Sequence, residues 1–239
     1  MFAGPSLSGF DRSRAPGIEF RPPAGCGDIA RAVGEGPKII GLIDGLFETS
    51  AAPWHKEILW TMAQGVAVFG AASMGALRAV ELEAYGMHGS GRVFDAFRTG
   101  ALEDDDEVAV LHGPAETGFV PVSDAMVNIR ATIAAALRAG VLESAEAETL
   151  VRMAKRTFYK ERSWSTLLSD AAASGLACVS GLSDWLRTER QDVKHADAAQ
   201  LVEKLMALDR LPPEARADFP ATRHWQRFFE KYVRVGSER

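Results

Sequence analysis

Residues 66–79 constrain the fold of this chain more than any other segment. Residues 66–69 are an apolar run with β-branched and aromatic side chains, small residues follow, and an amphipathic pattern begins after Ser73. This order predicts a buried strand that turns sharply into a helix, the repeating unit of parallel sheets. At such a turn the first N–H groups of the helix have no partner within the helix and attract negative charge. We therefore expect chemistry at Ser73.

Segments typical of strands and helices alternate through the first half of the chain. Residues 38–43 are a mostly apolar, isoleucine-rich run, typical of a strand buried on both faces. Pro53 is placed to open a helix that extends to Gln64, and the helix after Ser73 ends at Gly86, a left-handed C-terminal cap. Shorter strands are predicted at residues 2–3, 18–21, 66–69 and 107–111. This alternation predicts an α/β fold, with a mainly parallel sheet and flanking helices.

The second half of the chain changes to an all-helical pattern. From Asp124 onward apolar residues recur at helical spacing, and glycines separate the segments. Helices are predicted at residues 125–137, 145–158, 164–173, 182–187 and 196–208. We expect an α/β core over residues 1–122 and an all-α C-terminal extension over residues 123–239. With no repeats and no low-complexity linker, the two parts should pack as one unit.

Composition and charge argue against several functional classes. A formal net charge of -5 and the absence of a Lys/Arg stripe argue against nucleic acid as a partner. Cys26 and Cys178 are far apart, which indicates a reducing compartment and no thiolate metal site. Short, interrupted apolar runs predict neither a membrane span nor a signal peptide, so we expect a cytoplasmic protein. The acidic run 103–107 lacks the spacing of a calcium loop, and no metal is expected.

Ser73 is the candidate nucleophile. A serine hydroxyl needs a base to take its proton and donors to hold the oxyanion. His55 and Lys56 are the candidate bases, because histidine titrates near neutral pH and a buried lysine loses its proton readily. The Met74 and Gly75 amides at the predicted helix N-terminus are the expected oxyanion donors. In the alternative interpretation Ser73 is only an N-cap, and the two cations belong to a solvated helical turn.

Three further polar residues belong to the predicted substrate site. Asp44 directly follows the strand 38–43, and the carboxyl ends of parallel strands meet at one ligand-binding crevice, so it should face the same crevice as Ser73. It either orients a base or forms an ordinary turn. Arg78 and Glu81 lie three residues apart on the helix. They form either a surface ion pair or a guanidinium held beside the crevice for a carboxylate or thiocarboxylate.

Several segments resemble the TfuA-like family. They are residues 2–7 (FAGPSL), 21–24 (RPPA), 41–47 (GLIDGLF), 55–59 (HKEIL), 70–79 (GAASMGALRA), 86–89 (GMHG) and 105–110 (DDEVAV), with Arg130. The resemblance covers roughly residues 1–165 and is loose around residues 158–164. It implies a role in the biosynthesis of ribosomal peptides beside a YcaO enzyme, which uses ATP to activate a backbone amide. In TfuA-dependent cases that amide becomes a thioamide, and the family is thought to help deliver sulfur.

The resemblance and the predicted site together suggest a serine-type thiocarboxylate hydrolase. Ser73 would attack the glycyl thiocarboxylate at the end of a sulfur-carrier protein, His55 or Lys56 would act as the base, and Arg78 or Lys56 would balance the charge of the thiocarboxylate. The expected partners are the YcaO enzyme, the carrier and, indirectly, the precursor peptide. No cofactor is expected in this chain.

Two other functions stay open at this stage. In the first, the protein is a non-catalytic scaffold or allosteric partner that binds YcaO and recruits the sulfur donor, and the same residues are caps and docking contacts. In the second, it is a stand-alone esterase or protease. The chain then lacks the usual later Asp and His pair, although His112 could enter the site from the end of its predicted strand.

Overall fold

A computed structural model describes residues 1–47, 50–212 and 219–234 of the chain. At its centre lies a parallel sheet of three strands in the order β1 (Ile39–Leu42), β2 (Ala67–Ala71) and β3 (His88–Ser90). Ile40 is the partner of Val68 in the first ladder. The predicted α/β class, with flanking helices and a helical C-terminal region, is confirmed.

Ten helices surround this sheet within the described ranges. They are α1 (Asp28–Val33), α2 (His55–Ala63), α3 (Met74–Leu82), α4 (Arg92–Arg98), α5 (Met126–Arg138), α6 (Ser144–Arg156), α7 (Trp164–Ala173), α8 (Val179–Glu189), α9 (Val193–Met206) and α10 (Arg223–Phe228). A π-helical turn follows α10, and short 3-10 turns join several of the other elements. None of the described helices is both long and apolar enough to cross a membrane.

The two faces of the sheet are covered by different parts of the chain. Val68 packs in the cluster that α2 and α3 contribute to, whereas Phe69 packs in the cluster that contains Leu201 of α9. A third cluster joins α5, α6, α7 and α8. The Asp197 carboxylate of α9 also accepts the Val93 amide at the start of α4, at 2.7 Å. A helix from the second half thus completes the core of the first, while the predicted boundary at residue 122 stays a prediction.

The strand, turn and helix predicted around Ser73 are confirmed. β2 ends at Ala71, α3 begins at Met74, and Ser73 is the N-cap residue. α3 continues into a 3-10 turn at Glu83–Tyr85, and Gly86 ends it with a φ of 101°. That left-handed conformation is one that glycine adopts without strain.

Other predicted strands are wrong. Residues 2–3 and 18–21 are reduced to single bridges, which Phe2 makes to Arg21 and to Leu42. The predicted strand 107–111 is replaced by a 3-10 turn at Asp105–Glu107 and an irregular segment. In the described chain only the end of that segment, at Leu111, pairs with another stretch of backbone, residues 122–123, and a single antiparallel bridge follows at His112. The turn forms because the Glu107 carboxylate is buried and receives two hydrogen bonds from Arg130, each 2.9 Å long.

β3 is a strand that the sequence did not predict. Its central residue is Gly89, which has low strand propensity. A Cβ at Gly89 would overlap the ring of Phe94 in α4, so the close approach of that ring demands glycine. The tertiary contact therefore overrides local preference.

Three acids of the run 103–107, namely Asp104, Asp106 and Glu107, are paired with cations from the helical half. Lys155 of α6 forms ion pairs with Asp104 and Glu107, each at 3.0 Å, and with Asp106. The buried Arg162 donates to the Asp106 carboxylate at 2.6 Å. Within the described chain no group of three or more His, Cys, Asp or Glu side chains is arranged to hold a metal.

Candidate active site

The turn that carries Ser73 is strained. Ala72 has a φ of 66°, and the Ser73 N–H donates to the Ala71 carbonyl at 2.7 Å, which closes a three-residue turn. With a positive φ at its centre this is the rare form of the γ-turn. Strained backbone of this kind persists only where the surroundings fix it, and it is concentrated at functional sites. The Ser73 hydroxyl caps no helix amide, and the residue is 8% exposed.

Ser73 opens into a cavity of about 500 Å³ at the carboxyl ends of β1 and β2. Much of the wall is apolar, and it includes an edge-to-face pair of Phe47 and Tyr159 with ring centroids 6.0 Å apart. The polar residues of the wall are Asp44, Ser73, Arg78, Glu81, Glu103, Asp104, Asp105, His112, Tyr159 and Lys160. The lining is thus divided between polar and apolar residues, and the volume lies in the usual range for small-molecule sites.

The helix N-terminus beside Ser73 offers one of the two expected amides. The Gly75 N–H already donates to the Ile43 carbonyl at 3.0 Å. The Met74 N–H has no acceptor in the part of the chain that the structure describes. Met74 is therefore the amide available to an oxyanion, and the positive end of α3 adds to its effect.

His55 and Lys56 do not line the Ser73 cavity. The His55 side chain is 41% exposed, and its Nε2 lies 2.8 Å from Oε2 of Glu81. The Lys56 ammonium lies 3.4 Å from the Thr222 hydroxyl and 5.9 Å from the centre of the Trp54 ring. His55 is thus bonded to Glu81 of the cavity wall, whereas the Thr222 partner of Lys56 lies outside the cavity. Neither side chain has a hydrogen bond to Ser73 among the described residues.

Arg78 and Glu81 do lie in the cavity wall. The Arg78 guanidinium donates from Nε to the Pro53 carbonyl at 3.1 Å and from Nη1 to Glu81 at 2.6 Å. Its third nitrogen, Nη2, has no hydrogen-bond partner among the described residues, and the side chain is 14% exposed. Two fixed bonds hold the guanidinium in place, and the remaining nitrogen can meet an anionic ligand.

His112 shares the cavity with Ser73. Its Nδ1 lies 2.7 Å from the Gly113 carbonyl oxygen, and the ring meets Phe119 edge-on at 5.7 Å. A carbonyl oxygen only accepts hydrogen bonds, so Nδ1 carries the hydrogen and the neutral ring keeps a lone pair on Nε2. That tautomer is the one a general base requires. Sequence order alone favoured His55, because His112 is distant from Ser73 along the chain.

Asp44 has a structural role in the cavity wall. Its buried carboxylate accepts the Gly4 and Ser6 amides at 2.8 and 3.0 Å and the Ser6 hydroxyl at 2.7 Å. These bonds fasten the N-terminal loop to the end of β1. Asp44 therefore shapes the cavity, and in the described part of the chain none of its hydrogen bonds is to a candidate base.

Asp44→Ala should lower the free energy of unfolding by about 2 kcal/mol. Removal of the carboxylate leaves the buried Gly4 and Ser6 amides without their acceptor. Asp105→Ala, at an exposed cavity residue, is the matched control and should change the value by less than about 0.5 kcal/mol. Urea denaturation measures both, and equal effects would mean that the Asp44 bonds contribute nothing.

Lys194 supports the cavity wall from behind and was not singled out by the sequence. This buried α9 side chain donates from Nζ to the Val108 carbonyl at 2.6 Å. Burial lowers the pKa of the amine, and the negative charge of Asp44 opposes that shift. The bond fixes the chain at the start of the segment that leads to His112.

Comparison with known proteins adds the family. The sequence model of a protein family, described as TfuA-like protein, matches residues 44–163, which is half of the chain. The chain belongs to the TfuA-like family. The match includes Ser73, Arg78 and His112, and membership is consistent with an accessory role beside a YcaO enzyme. No curated protein matches the chain of this TfuA-like protein.

Proposed function

We propose that this TfuA-like protein supplies sulfide to a YcaO enzyme by hydrolysing the C-terminal thiocarboxylate of a sulfur-carrier protein. The observation that carries the proposal is the strained turn that presents the Ser73 hydroxyl to a cavity shared with His112 and Arg78. Attack on the acyl carbon of a negatively charged thiocarboxylate requires three groups: a nucleophile, a base and a cation. No cofactor takes part, and ATP is used by the YcaO partner.

In the first half-reaction Ser73 Oγ attacks the thiocarboxylate carbon while His112 Nε2 takes its proton. Arg78 offsets the negative charge of the thiocarboxylate, and the Met74 amide holds the oxygen of the tetrahedral intermediate. The carbon–sulfur bond then breaks. His112 returns the proton to the sulfur, hydrosulfide leaves, and the acyl group stays as an ester on Ser73.

In the second half-reaction water replaces the sulfur. His112 takes a proton from the water, whose oxygen attacks the ester carbon, and the proton passes to Ser73 Oγ as the ester bond breaks. The carrier leaves as a carboxylate. The second proton of the water is released to solvent as the new carboxyl group ionises. Each cycle therefore consumes one water and produces one hydrosulfide and one proton, with no oxidant or reductant.

The alternative function is a non-catalytic scaffold that binds YcaO and recruits the sulfur donor. Exposed apolar side chains next to the cavity favour it, since such groups commonly mark contacts between proteins. They are Leu111, Val120 and Val122. Precursor peptide would be affected only indirectly in either case.

Exchanging the candidate bases tests the catalytic assignment. His112→Ala should lower the rate of sulfide release about a hundredfold or more, the usual contribution of a general base. His55→Ala and Lys56→Ala should keep the rate within about threefold, because neither residue lines the cavity. Sulfide is measured after mixing each variant with a thiocarboxylated carrier. If the rate of sulfide release fell sharply in His55→Ala and stayed normal in His112→Ala, His55 and not His112 would be the base.

A further inference from the structure

One wall of the Ser73 cavity is an unpaired backbone edge. Residues 108–112 all line the cavity, and from residue 109 to residue 112 the chain runs without a turn or bend. Over the described ranges, three residues of this segment have no hydrogen-bond partner for the backbone N–H or for the carbonyl. They are Ala109, Val110 and His112.

Leu111 identifies which side of the segment is already paired. Its N–H donates to the Ser123 hydroxyl at 2.7 Å, and its carbonyl accepts the Val122 N–H at 2.7 Å. Along an extended chain the bonding groups of successive residues alternate between the two edges. The N–H and carbonyl groups of Val110 and His112 therefore point to the opposite edge, and that edge is open.

The open edge belongs to a sequence with strand character. Residues 107–111 alternate β-branched and other residues as a strand does. Among the described residues the only extended neighbour is the stretch 120–123, which bonds to the Leu111 edge and leaves the other edge without a partner. Unpaired backbone groups in a half-buried wall are costly unless something pairs with them. An open strand edge is also a ready template for another main chain.

We propose that the carrier's C-terminal segment binds as an added strand along residues 109–112 and so delivers its acyl end to Ser73. This rests on the proposed function and deepens it by assigning how the substrate is recognised. The occupant is an extended main chain, because the groups on offer are backbone donors and acceptors in strand spacing. The main-chain hydrogen bonds then supply affinity, and the cavity wall, which receives alternate side chains, supplies specificity.

Peptide thioacids modified on the backbone test this inference. The probes are a synthetic hexapeptide thioacid, five versions with a single N-methyl group at each peptide amide in turn, and thiobenzoate, which has no peptide chain. Methylation at amides that face residues 109–112 should raise KM about tenfold and leave kcat within about twofold, since each removes one hydrogen bond. Methylation at the alternate amides should change KM less than about twofold.

The outcomes separate this inference from the proposed function. If sulfide is released but the change in KM does not alternate with the position of the methyl group, or if KM does not change at any position, the added strand is overturned. Absence of sulfide from every probe, thiobenzoate included, overturns the hydrolase itself.

A binding measurement tests the strand without any turnover. Ser73→Ala is mixed with the hexapeptide carrying an ordinary carboxylate, and amide hydrogen exchange is followed by NMR. Exchange of the Val110 and His112 amides should slow about tenfold on saturation, while the Leu111 amide, which is already bonded, serves as the internal control. Saturation with no slowing at Val110 and His112 contradicts the proposal.

Discussion

Ser73→Ala should lower sulfide release from a thiocarboxylated carrier at least about a thousandfold. The variant keeps the cavity and the Met74 amide but has no atom that can form the acyl ester, and loss of a nucleophile usually costs this much or more. Folding should be unaffected, because the Ser73 hydroxyl caps no helix amide. Single-turnover sulfide measurement gives the rate, and thermal unfolding checks the fold.

Ser183→Ala is the matched control for this experiment. Ser183 lies on α8 and does not line the cavity, so the same loss of a hydroxyl should leave the rate within about twofold. Reconstituted thioamidation supplies a second readout. Added free sulfide should restore product formation with Ser73→Ala if the protein is a hydrolase. An unchanged sulfide rate in Ser73→Ala would remove Ser73 from catalysis and favour the scaffold.

The parts of the fold that were predicted correctly are specified by nearby residues. The apolar run of β2, the small residues after it and the amphipathic α3 lie within one continuous segment, so local pattern sufficed. Gly86 ends that unit for an equally local reason, its left-handed φ. Asp44 and Ser73 reach the same cavity because both follow parallel strands, which is a topological rule that needs no coordinates.

The misassigned parts depend on contacts between distant residues. Residues 107–111 have strand character but are held at one end by Arg130 of α5 and Lys194 of α9. β3 forms around Gly89 because Phe94 packs over it. The choice of base also depends on distant contacts, because Glu81 binds the His55 ring and His112 lines the Ser73 cavity, and the assignment of His55 or His112 stays a prediction. His112 reaches the cavity through a hairpin whose backbone pairing the sequence pattern did not reveal.

Gly75→Ala should be strongly destabilising, with a loss of about 4 kcal/mol or more in the free energy of unfolding. A Cβ at this position would overlap the Leu42 carbonyl oxygen of β1, and one at Gly70 would overlap the Gly75 carbonyl. The atoms in the way belong to the backbone, so no side chain can move aside. Only displacement of α3 from the sheet would relieve the overlap. The expected loss of unfolding free energy is therefore larger than the usual cost of overpacking a core.

Gly181→Ala is the control for this second prediction, because Gly181 lies within α8 and an added Cβ there meets nothing within 4 Å. Alanine favours a helix over glycine, so this variant should gain up to about 1 kcal/mol. Urea denaturation of both variants gives the comparison. A loss below about 1 kcal/mol for Gly75→Ala would mean that α3 does not pack directly on β1. In that case the close packing of α3 on β1 would not be what holds Ala72 at a positive φ in the Ser73 turn.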